Sequence, residues 1–377
     1  MQKIRGIDWI LFLATLPLLA VGLVTMNSFL PNETVGNFFS RQLVWVFISI
    51  AVFFLLSFVD FRFLRRTGVV TSLFVGTVII LGLLFVIGSV FQGAQSWFNL
   101  GAFTIQPSDP AKIVVIILLA KYFSRRHIEI ERIRHIVVSG LYIFLIFTLV
   151  LLQPDFGSSI IIALIWLGMM LVAGISKKHL AIIFILSGIV FAGLWGFGFA
   201  EYQKDRIRSF VDPLADVSGT GYNAYQSMIA VGSGEVWGKG VGFGTQSRLK
   251  FLPEYQTDFI FAAFAEEWGY IGALFLFILF GIIIWRIVRI AIRGETNFEV
   301  LFGLGVAIYF IAHFLVHVGM NVGLLPITGT TIPFLSYGGS HLITEFIALG
   351  ILMGMNRYGR KTTSTPAPLD VHYSNIQ

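Results

Sequence analysis

Apolar segments of about 20 residues recur along nearly the whole chain, and they limit its fold more than any other feature. A helix of about 20 residues, rising 1.5 Å per residue, spans the hydrocarbon core of a bilayer. The 377 residues are 56% hydrophobic and only 12% charged, far from the composition of a soluble domain. A membrane barrel would instead show alternating strands of about ten residues. The sequence therefore predicts an all-α polytopic membrane protein.

Ten such segments predict ten transmembrane helices, near residues 7–29, 38–59, 67–89, 107–123, 136–153, 158–175, 180–199, 259–285, 300–324 and 340–356. Most of the 26 Lys and Arg lie in alternate connections, which places those connections and both termini in the cytoplasm. A large outer loop, about 200–257, then joins helices seven and eight. We expect one domain over 1–361 and a disordered cytoplasmic tail over 362–377.

Composition also narrows the classes of partner. The net charge of +6 follows from the positive inner connections, so no nucleic-acid partner is expected. The chain has no cysteine, which excludes disulfides and thiolate sites.

Ionisable residues gather in the outer half of the predicted membrane region. They are Asp109, Lys112, Asp155, Asp258, Glu266, Glu267 and Glu345. Charges inside a bilayer are costly and usually mark a pathway or a site. On a continuous helix, Glu266 and Glu267 would lie about 12–14 Å deeper than Asp258. Two structural alternatives stay open: Asp258 as a helix N-cap, and ion pairs of Lys112 with a neighbouring acid.

Two histidines, His313 and His317, are spaced four residues apart on the predicted ninth helix. This spacing can bind a metal, but no glutamate follows His313 as it does in the HExxH motif. Hydrogen bonding between helices is the favoured interpretation.

The long outer loop contains the glycine-rich stretch GSGEVWGKGVGFGTQ, residues 232–246. Consecutive amides in such loops can form anion-binding nests, although a merely tight loop is equally compatible with the composition. Basic side chains in the same loop suit a pyrophosphate or an anionic headgroup; they are Arg206, Arg208, Lys239, Arg248 and Lys250. The loop is not a P-loop, because Gly240 follows Lys239 where Ser or Thr is required. A lipid-linked anionic substrate and a proton-coupled transporter both fit this pattern.

Seven motifs, in this order, resemble the SEDS family (shape, elongation, division and sporulation). They are GAQSWFNLG (93–101), IQPSDPAK (105–112), QPDFG (153–157), DPLADVSGTGYNAYQS (212–227), GKGVGFGTQ (238–246), LPEYQTDFIFAAFAEEWG (252–269) and PITGTTIPFLSYGGS (326–340). The similarity covers residues 1–360, and the GAQSW form near Trp97 is more like the elongation branch than the division branch.

The resemblance implies ten membrane helices, a large outer loop and a location in the bacterial inner membrane. It implies a peptidoglycan glycosyltransferase that polymerises lipid II, the undecaprenyl-pyrophosphate-linked disaccharide peptide, at the outer leaflet. The implied partners are a class B penicillin-binding protein and other membrane proteins of the elongation complex. No cofactor is established by the motifs, and a divalent cation, Mg²⁺ or Mn²⁺, is a candidate.

The resemblance also implies roles for particular residues. Asp258 matches the family's essential aspartate, and we expect it to be the general base of an inverting reaction. Asp155, Asp109 and Lys112 match functionally important positions, although Asp109 is one methylene shorter than the usual Glu, which leaves its reach to Lys112 open. Further substrate-binding candidates are Trp97, Arg206, Lys239, Glu266, Glu267, Ser336 and Ser340. His341 stands where a small residue is more usual.

Two rival functions share the same residues. A lipid II flippase would need a route to the inner face, yet the charged groups stop at the outer half of the helices. A scaffold that only docks partner helices would leave the buried acids without a reason.

Overall fold

The computed structural model describes residues 6–28, 38–91, 94–99, 101, 104–125, 133–199, 201–212, 219–249 and 251–362. The helices are α1 (Trp9–Ser28), α2 (Phe38–Ser57), α3 (Thr67–Ile87), α4 (Ser108–Ser124), α5 (Ile133–Leu152), α6 (Phe156–Ala173), α7 (Lys177–Phe197), α8 (Glu201–Val211), α9 (Thr220–Ser233), α10 (Thr245–Arg248), α11 (Ile260–Ala291), α12 (Asn297–Asn321) and α13 (Gly339–Thr362). A short 3₁₀ helix, Phe61–Arg65, precedes α3. Apart from Thr362, the predicted tail lies outside the described residues, as does Lys250.

Eight of the described helices are long and apolar enough to cross a membrane: α1, α2, α3, α5, α6, α7, α11 and α12. The chain is therefore a multi-pass membrane protein. The other two predicted spans correspond to α4, which has only 17 residues, and α13, whose buried face carries polar side chains. Those side chains point at neighbouring helices, where charged and polar groups in membrane proteins usually lie.

Helix α12 lies at the centre of the bundle and packs against α4, α6 and α11, while α13 packs along α2. Glycines allow the close approaches. A Cβ added at Gly305 of α12 would lie 2.6 Å from a carbon of Ile116 in α4, and one at Gly168 of α6 would lie 2.6 Å from a carbon of Ile308. Small residues at helix contacts are typical of membrane bundles, which lack a hydrophobic drive between helices.

A small antiparallel sheet follows α3 on the predicted outer side. Its strands are β1 (Ser89–Phe91), β2 (Ala94–Asn99) and β3 (Thr104–Ile105), with Ser89 opposite Trp97 and Phe98 opposite Ile105. These strands depart from the all-α fold that the sequence predicts. The sheet fixes Trp97 beside the ends of α4 and α6.

The long outer connection is built largely of helices rather than of irregular chain. Helices α8, α9 and α10 occupy most of its described part, and α9 packs against α8 and α11.

Helix α11 is not continuous, because Gly269 has the left-handed φ of 65° with ψ of −165°. A Cβ at Gly269 would lie 2.3 Å from the backbone N of Gly238, and a Cβ at Gly238, where φ is 79°, would lie 2.1 Å from the carbonyl O of Glu267. Only glycine fits this approach of two backbones. The break follows Glu266 and Glu267, and the turn of helix before it lies against the outer loop, whose Lys239 and Gly240 N–H groups donate to the carbonyls of Glu266 and Glu267 at 3.0 Å. The depth of the two glutamates in the membrane stays a prediction.

Candidate active site

A cavity of about 200 Å³ lies where β2, α4, α6, α8, the turn before α11 and the segment before α13 meet. It brings together six of the residues predicted from sequence: Trp97, Asp109, Lys112, Asp155, Arg206 and Asp258. Glu254, His313, Tyr337 and His341 complete its ionisable lining among the described residues. Acids and bases from distant parts of the sequence thus share one small volume.

Asp258 lies in the turn that leads into α11, and its backbone is held from both sides. Its N–H donates to the carbonyl of Glu254 at 3.1 Å, and its carbonyl accepts from Nδ2 of Asn321 at 3.0 Å. Asn321 Oδ1 also accepts the N–H of Ala262, so the end of α12 fixes this turn. The N-cap of α11 is Phe259, so the helix-cap interpretation of Asp258 is wrong.

The Asp258 carboxylate is half-buried and makes no side-chain hydrogen bond within the part of the chain that the structure describes. Burial raises the pKa of Asp258 from 3.8 to about 7, and the negative charges of Glu254 and Asp155 add to the rise, whereas Arg206 opposes it. A carboxylate with a pKa near the working pH is well suited to accept a proton. Gly329 leaves the carboxylate room, since a Cβ there would lie 3.4 Å from Asp258 Oδ2.

Asp155 is bound differently, because its carboxylate oxygens have several donors. Oδ1 accepts the N–H of Ser158 at 3.0 Å and so caps α6, while Oδ2 accepts from Gln106 Nε2 at 2.8 Å and Ser108 Oγ at 3.0 Å. Asp155 thereby ties the start of α4 to the start of α6 at the cavity wall.

Lys112 and Asp109 form a buried ion pair with an Nζ–Oδ1 distance of 2.9 Å. The shorter aspartate therefore reaches the lysine, and the ion-pair alternative is confirmed for this pair. His341 extends it: its Nδ1 lies 3.6 Å from the same Asp109 oxygen, and its Nε2 lies 2.6 Å from Glu345 Oε1. The other Glu345 oxygen accepts the N–H of Phe334 at 3.0 Å. His341 was not predicted as a site residue, although its spacing of four from Glu345 was a usable signal.

The two histidines of α12 hold the segment that precedes α13. His313 Nδ1 lies 3.1 Å from the carbonyl of Thr331, and His317 Nδ1 lies 2.7 Å from the carbonyl of Thr330. Both histidines therefore make hydrogen bonds, but to a non-helical segment rather than to another helix as predicted. In the described ranges, no three or more His, Asp or Glu side chains group in a way that could hold a metal ion.

Ser336 and Ser340 lie behind the cavity wall rather than on it. Ser336 Oγ donates to the carbonyl of Thr257 at 2.9 Å, next to Asp258, and accepts the N–H of Ile332 at 3.0 Å. Ser340 Oγ accepts the N–H of Gln106 at 3.2 Å. Both fix backbone that positions cavity residues, and direct substrate contact by either serine remains a prediction.

The glycine-rich loop binds carboxylates of the protein itself. Lys239 Nζ lies 2.7 Å from Glu266 Oε1, which also accepts the N–H of Gln246 at 3.1 Å. Glu267 Oε1 accepts the N–H of Gly242 at 2.6 Å. Lys239, Glu266 and Glu267 do not line the cavity of Asp258. The loop therefore is anion-binding, as one alternative predicted, but its anion is internal, and substrate binding by these three residues remains a prediction.

Comparison with known proteins places this geometry in a family. The sequence matches the FtsW, RodA and SpoVE family, described as cell cycle protein, over residues 7–361. The chain belongs to the SEDS family. It is 35% identical to stage V sporulation protein E of Bacillus subtilis (strain 168) over 366 residues, covering 94% of this chain and 98% of the relative. It is 38% identical to peptidoglycan glycosyltransferase MrdB of Escherichia coli (strain K12) over 271 residues, covering 72% and 73%.

Solved structures agree with this SEDS assignment. A chain from a peptidoglycan synthase complex, whose structure concerns the coordination of polymerization and crosslinking, superposes with a TM-score of 0.79 at 28% identity, covering 93% of this chain and 98% of the other. The rod shape determining protein RodA of Thermus thermophilus superposes with a TM-score of 0.69 at 28% identity, covering 93% and 97%.

Proposed function

We propose that this SEDS protein is a peptidoglycan glycosyltransferase that polymerises lipid II at the outer leaflet. The observation that carries the proposal is the Asp258 carboxylate, whose pKa is raised to about 7 in a cavity that also holds Lys112 and Arg206. Among the described residues, no side chain forms a hydrogen bond with it. The MrdB relative is named as an enzyme of this class.

The reaction would join the 4-hydroxyl of an incoming lipid II sugar to the anomeric carbon of the growing strand. Asp258 accepts the hydroxyl proton as the new oxygen–carbon bond forms. The bond from that carbon to undecaprenyl pyrophosphate breaks, and the electron pair leaves with the pyrophosphate. Attack from the side opposite the leaving group inverts the anomeric centre, as expected when one carboxylate acts as base.

The departing pyrophosphate needs positive charge. Arg206 is half-buried at the cavity, and Lys112 presents its ammonium there while paired with Asp109. Charged donors of this kind stabilise developing negative charge best in a water-poor site. We assign the leaving-group contacts to these two side chains.

A divalent cation, Mg²⁺ or Mn²⁺, stays a proposal of its own. Mg²⁺ commonly binds one or two carboxylates together with substrate phosphates. Glu254 and Asp258 both line the cavity, and they are the carboxylates that we propose would hold such an ion. Because the described chain offers no larger cluster, the ion would depend on the substrate's own pyrophosphate, and we route no step through it.

The topology we propose has ten membrane spans, counting α4 and α13, in a single domain over 1–361 of the bacterial inner membrane. Both termini then lie in the cytoplasm, and the 200–257 segment lies outside with the cavity. The buried polar faces of α4 and α13 support their inclusion, since both pack inside the bundle.

We further propose a role in cell elongation, with a class B penicillin-binding protein and other membrane proteins of the elongation complex as partners. The similarity to a chain of a peptidoglycan synthase complex and to a rod shape determining protein supports this branch.

An experiment in lipid vesicles distinguishes polymerisation of lipid II from the rival flippase activity. Purified protein is reconstituted with labelled lipid II, alone and fused to a class B penicillin-binding protein. Glycan ladders support the glycosyltransferase. Movement of lipid II between leaflets with no ladder in either preparation would favour the flippase instead.

A further inference from the structure

A second cavity, of about 250 Å³, lies at the end of α11 that is remote from Asp258. Its walls are the chain entering α1, the end of α13 at Asn356, and the last turns of α11. Three arginines line it: Arg286, Arg289 and Arg293. Their spacing of three and four residues puts all three guanidinium groups on one face of the helix.

One carboxylate, Asp8, faces these arginines among the lining residues, and it is fully engaged. Arg286 Nε lies 3.1 Å from Asp8 Oδ1, and Arg286 Nη2 makes a second, shorter contact with Oδ2. Asp8 Oδ1 also accepts the N–H of Leu11 at 3.0 Å. A bidentate pair of this kind neutralises Arg286 and leaves Asp8 little capacity for another cation.

Arg289 and Arg293 are left without a carboxylate partner in the described part of the chain. Arg289 lies over the Trp285 ring, 5.2 Å from its centroid, and Arg293 is exposed at the cavity. Both side chains stay charged at any physiological pH. The cavity therefore carries two uncompensated positive charges and attracts an anion.

The surroundings indicate which anion. Trp9 and Trp285 flank the arginines and are 43% and 54% exposed, as is typical of tryptophans at the membrane–water interface. Ile10 and Leu13 continue along α1 with 52% and 55% exposure, which provides an apolar surface for acyl chains. At about 30 Å³ per water, the cavity has room for about eight waters, enough for a phosphate group with part of its glycerol.

We propose that this cavity binds the phosphodiester headgroup of an anionic phospholipid. Arg289 and Arg293 donate to the phosphate oxygens, and the acyl chains lie along the exposed face of α1. Basic pockets between membrane helices are suited to such headgroups. In the topology proposed above, the lipid belongs to the cytoplasmic leaflet, so this site is separate from the outer cavity and does not depend on its chemistry.

The test measures lipid binding to the purified full-length protein by native mass spectrometry. Phosphatidylglycerol is titrated against phosphatidylcholine for the wild type, for R289Q/R293Q, and for K177Q/K178Q, a control that removes two exposed charges at the start of α7. Each arginine near a membrane surface contributes about fivefold in affinity, so the double variant should bind phosphatidylglycerol about 25-fold more weakly. The control variant and all binding of phosphatidylcholine should be unchanged.

Two results would overturn the proposal. Equal phosphatidylglycerol binding by R289Q/R293Q and the wild type would show that Arg289 and Arg293 do not form a lipid site. Displacement of phosphatidylglycerol by millimolar inorganic phosphate would show a soluble-phosphate site rather than a lipid site. If R289Q/R293Q fails to fold, R289K/R293K takes its place, because lysine keeps the charge but loses the bidentate fork. This variant should bind phosphatidylglycerol more weakly than the wild type, and equal binding would overturn the proposal.

Discussion

The pH dependence of polymerisation should respond to Glu254, a residue that the proposed mechanism gives no chemical step. Glu254 lines the cavity, and its negative charge helps to raise the pKa of Asp258 to about 7. With a base of pKa about 7, the ionised fraction is about 10% at pH 6 and about 90% at pH 8, so the rate should rise with pH across this window. Glu254→Gln removes one of the charges that oppose ionisation, which lowers the pKa of Asp258.

The size of the change follows from the titration curve. If a neighbouring charge contributes about half to one pKa unit, the ionised fraction at pH 6 rises from about 10% to about 25–50%. At pH 8 it changes by only about a tenth, so the ratio of the rates at pH 6 and pH 8 should increase about 2.5- to fivefold. This ratio is insensitive to a general loss of activity, because such a loss lowers both rates alike.

The assay is the initial rate of glycan synthesis from fluorescent lipid II at a series of pH values between 5.5 and 8.5. Glu235→Gln is the matched control, since Glu235 is exposed on the same outer connection and does not line the cavity. Its rate ratio should equal that of the wild type. An unchanged ratio in Glu254→Gln, or a wild-type rate that does not rise through pH 7, would refute the assignment of Asp258 as the titrating base.

Three further predictions concern stability. Asp258→Asn should melt at a higher temperature than the wild type at pH 8. The pKa of Asp258 is about 7 in the folded protein and 3.8 in the unfolded chain, so the wild type loses stability as pH rises from about 4 to about 7. The full pKa shift corresponds to about 4 kcal/mol of unfolding free energy, and solvent reduces this figure at the half-buried site. A variant that is no more stable than the wild type at pH 8 would contradict the raised pKa. Gly238→Ala should lower the free energy of unfolding by about 2 kcal/mol or more in a thermal or denaturant melt, because the new Cβ would lie 2.1 Å from the carbonyl of Glu267 at a φ of 79°. The control Gly281→Ala should be neutral or stabilising, because no atom lies within 4 Å of its new Cβ. Glu266→Gln should cost about 2–4 kcal/mol by leaving Lys239 without its buried anion, and hydrogen exchange should rise in residues 238–246; unchanged protection there would show that the carboxylate does not hold the loop.

Local sequence signals predicted the helices and the centre of the cavity well. Runs of about 20 apolar residues predict membrane helices, because length and hydropathy alone indicate whether a segment can span the bilayer, without knowledge of tertiary contacts. Charged residues next to apolar helices are costly and usually functional, which made Asp155, Asp258 and Lys112 candidate site residues. The structure gathers all three around one cavity.

Features that depend on contacts between distant segments were missed. The break at Gly269 exists because the backbone of Gly238 occupies the space that a side chain would need, and these two residues are far apart in sequence. For the same reason, sequence could not show that Lys239 of the glycine-rich loop would bind the Glu266 carboxylate. The short strands β1, β2 and β3 were not predicted, because strands of two to six residues within a loop give too little periodicity.

The most direct test of the proposed chemistry is the polymerisation of fluorescent lipid II by purified wild type, Asp258→Asn and Asp205→Asn, each fused to a class B penicillin-binding protein. Asp205 is the control because it is exposed on α8 and pairs with Arg208 at 2.9 Å, so the same chemical change there leaves the cavity intact. Wild type and Asp205→Asn should produce equal glycan ladders, while loss of the base should slow Asp258→Asn by about 100-fold or more. Ladders of wild-type intensity from Asp258→Asn would contradict Asp258 as the catalytic base.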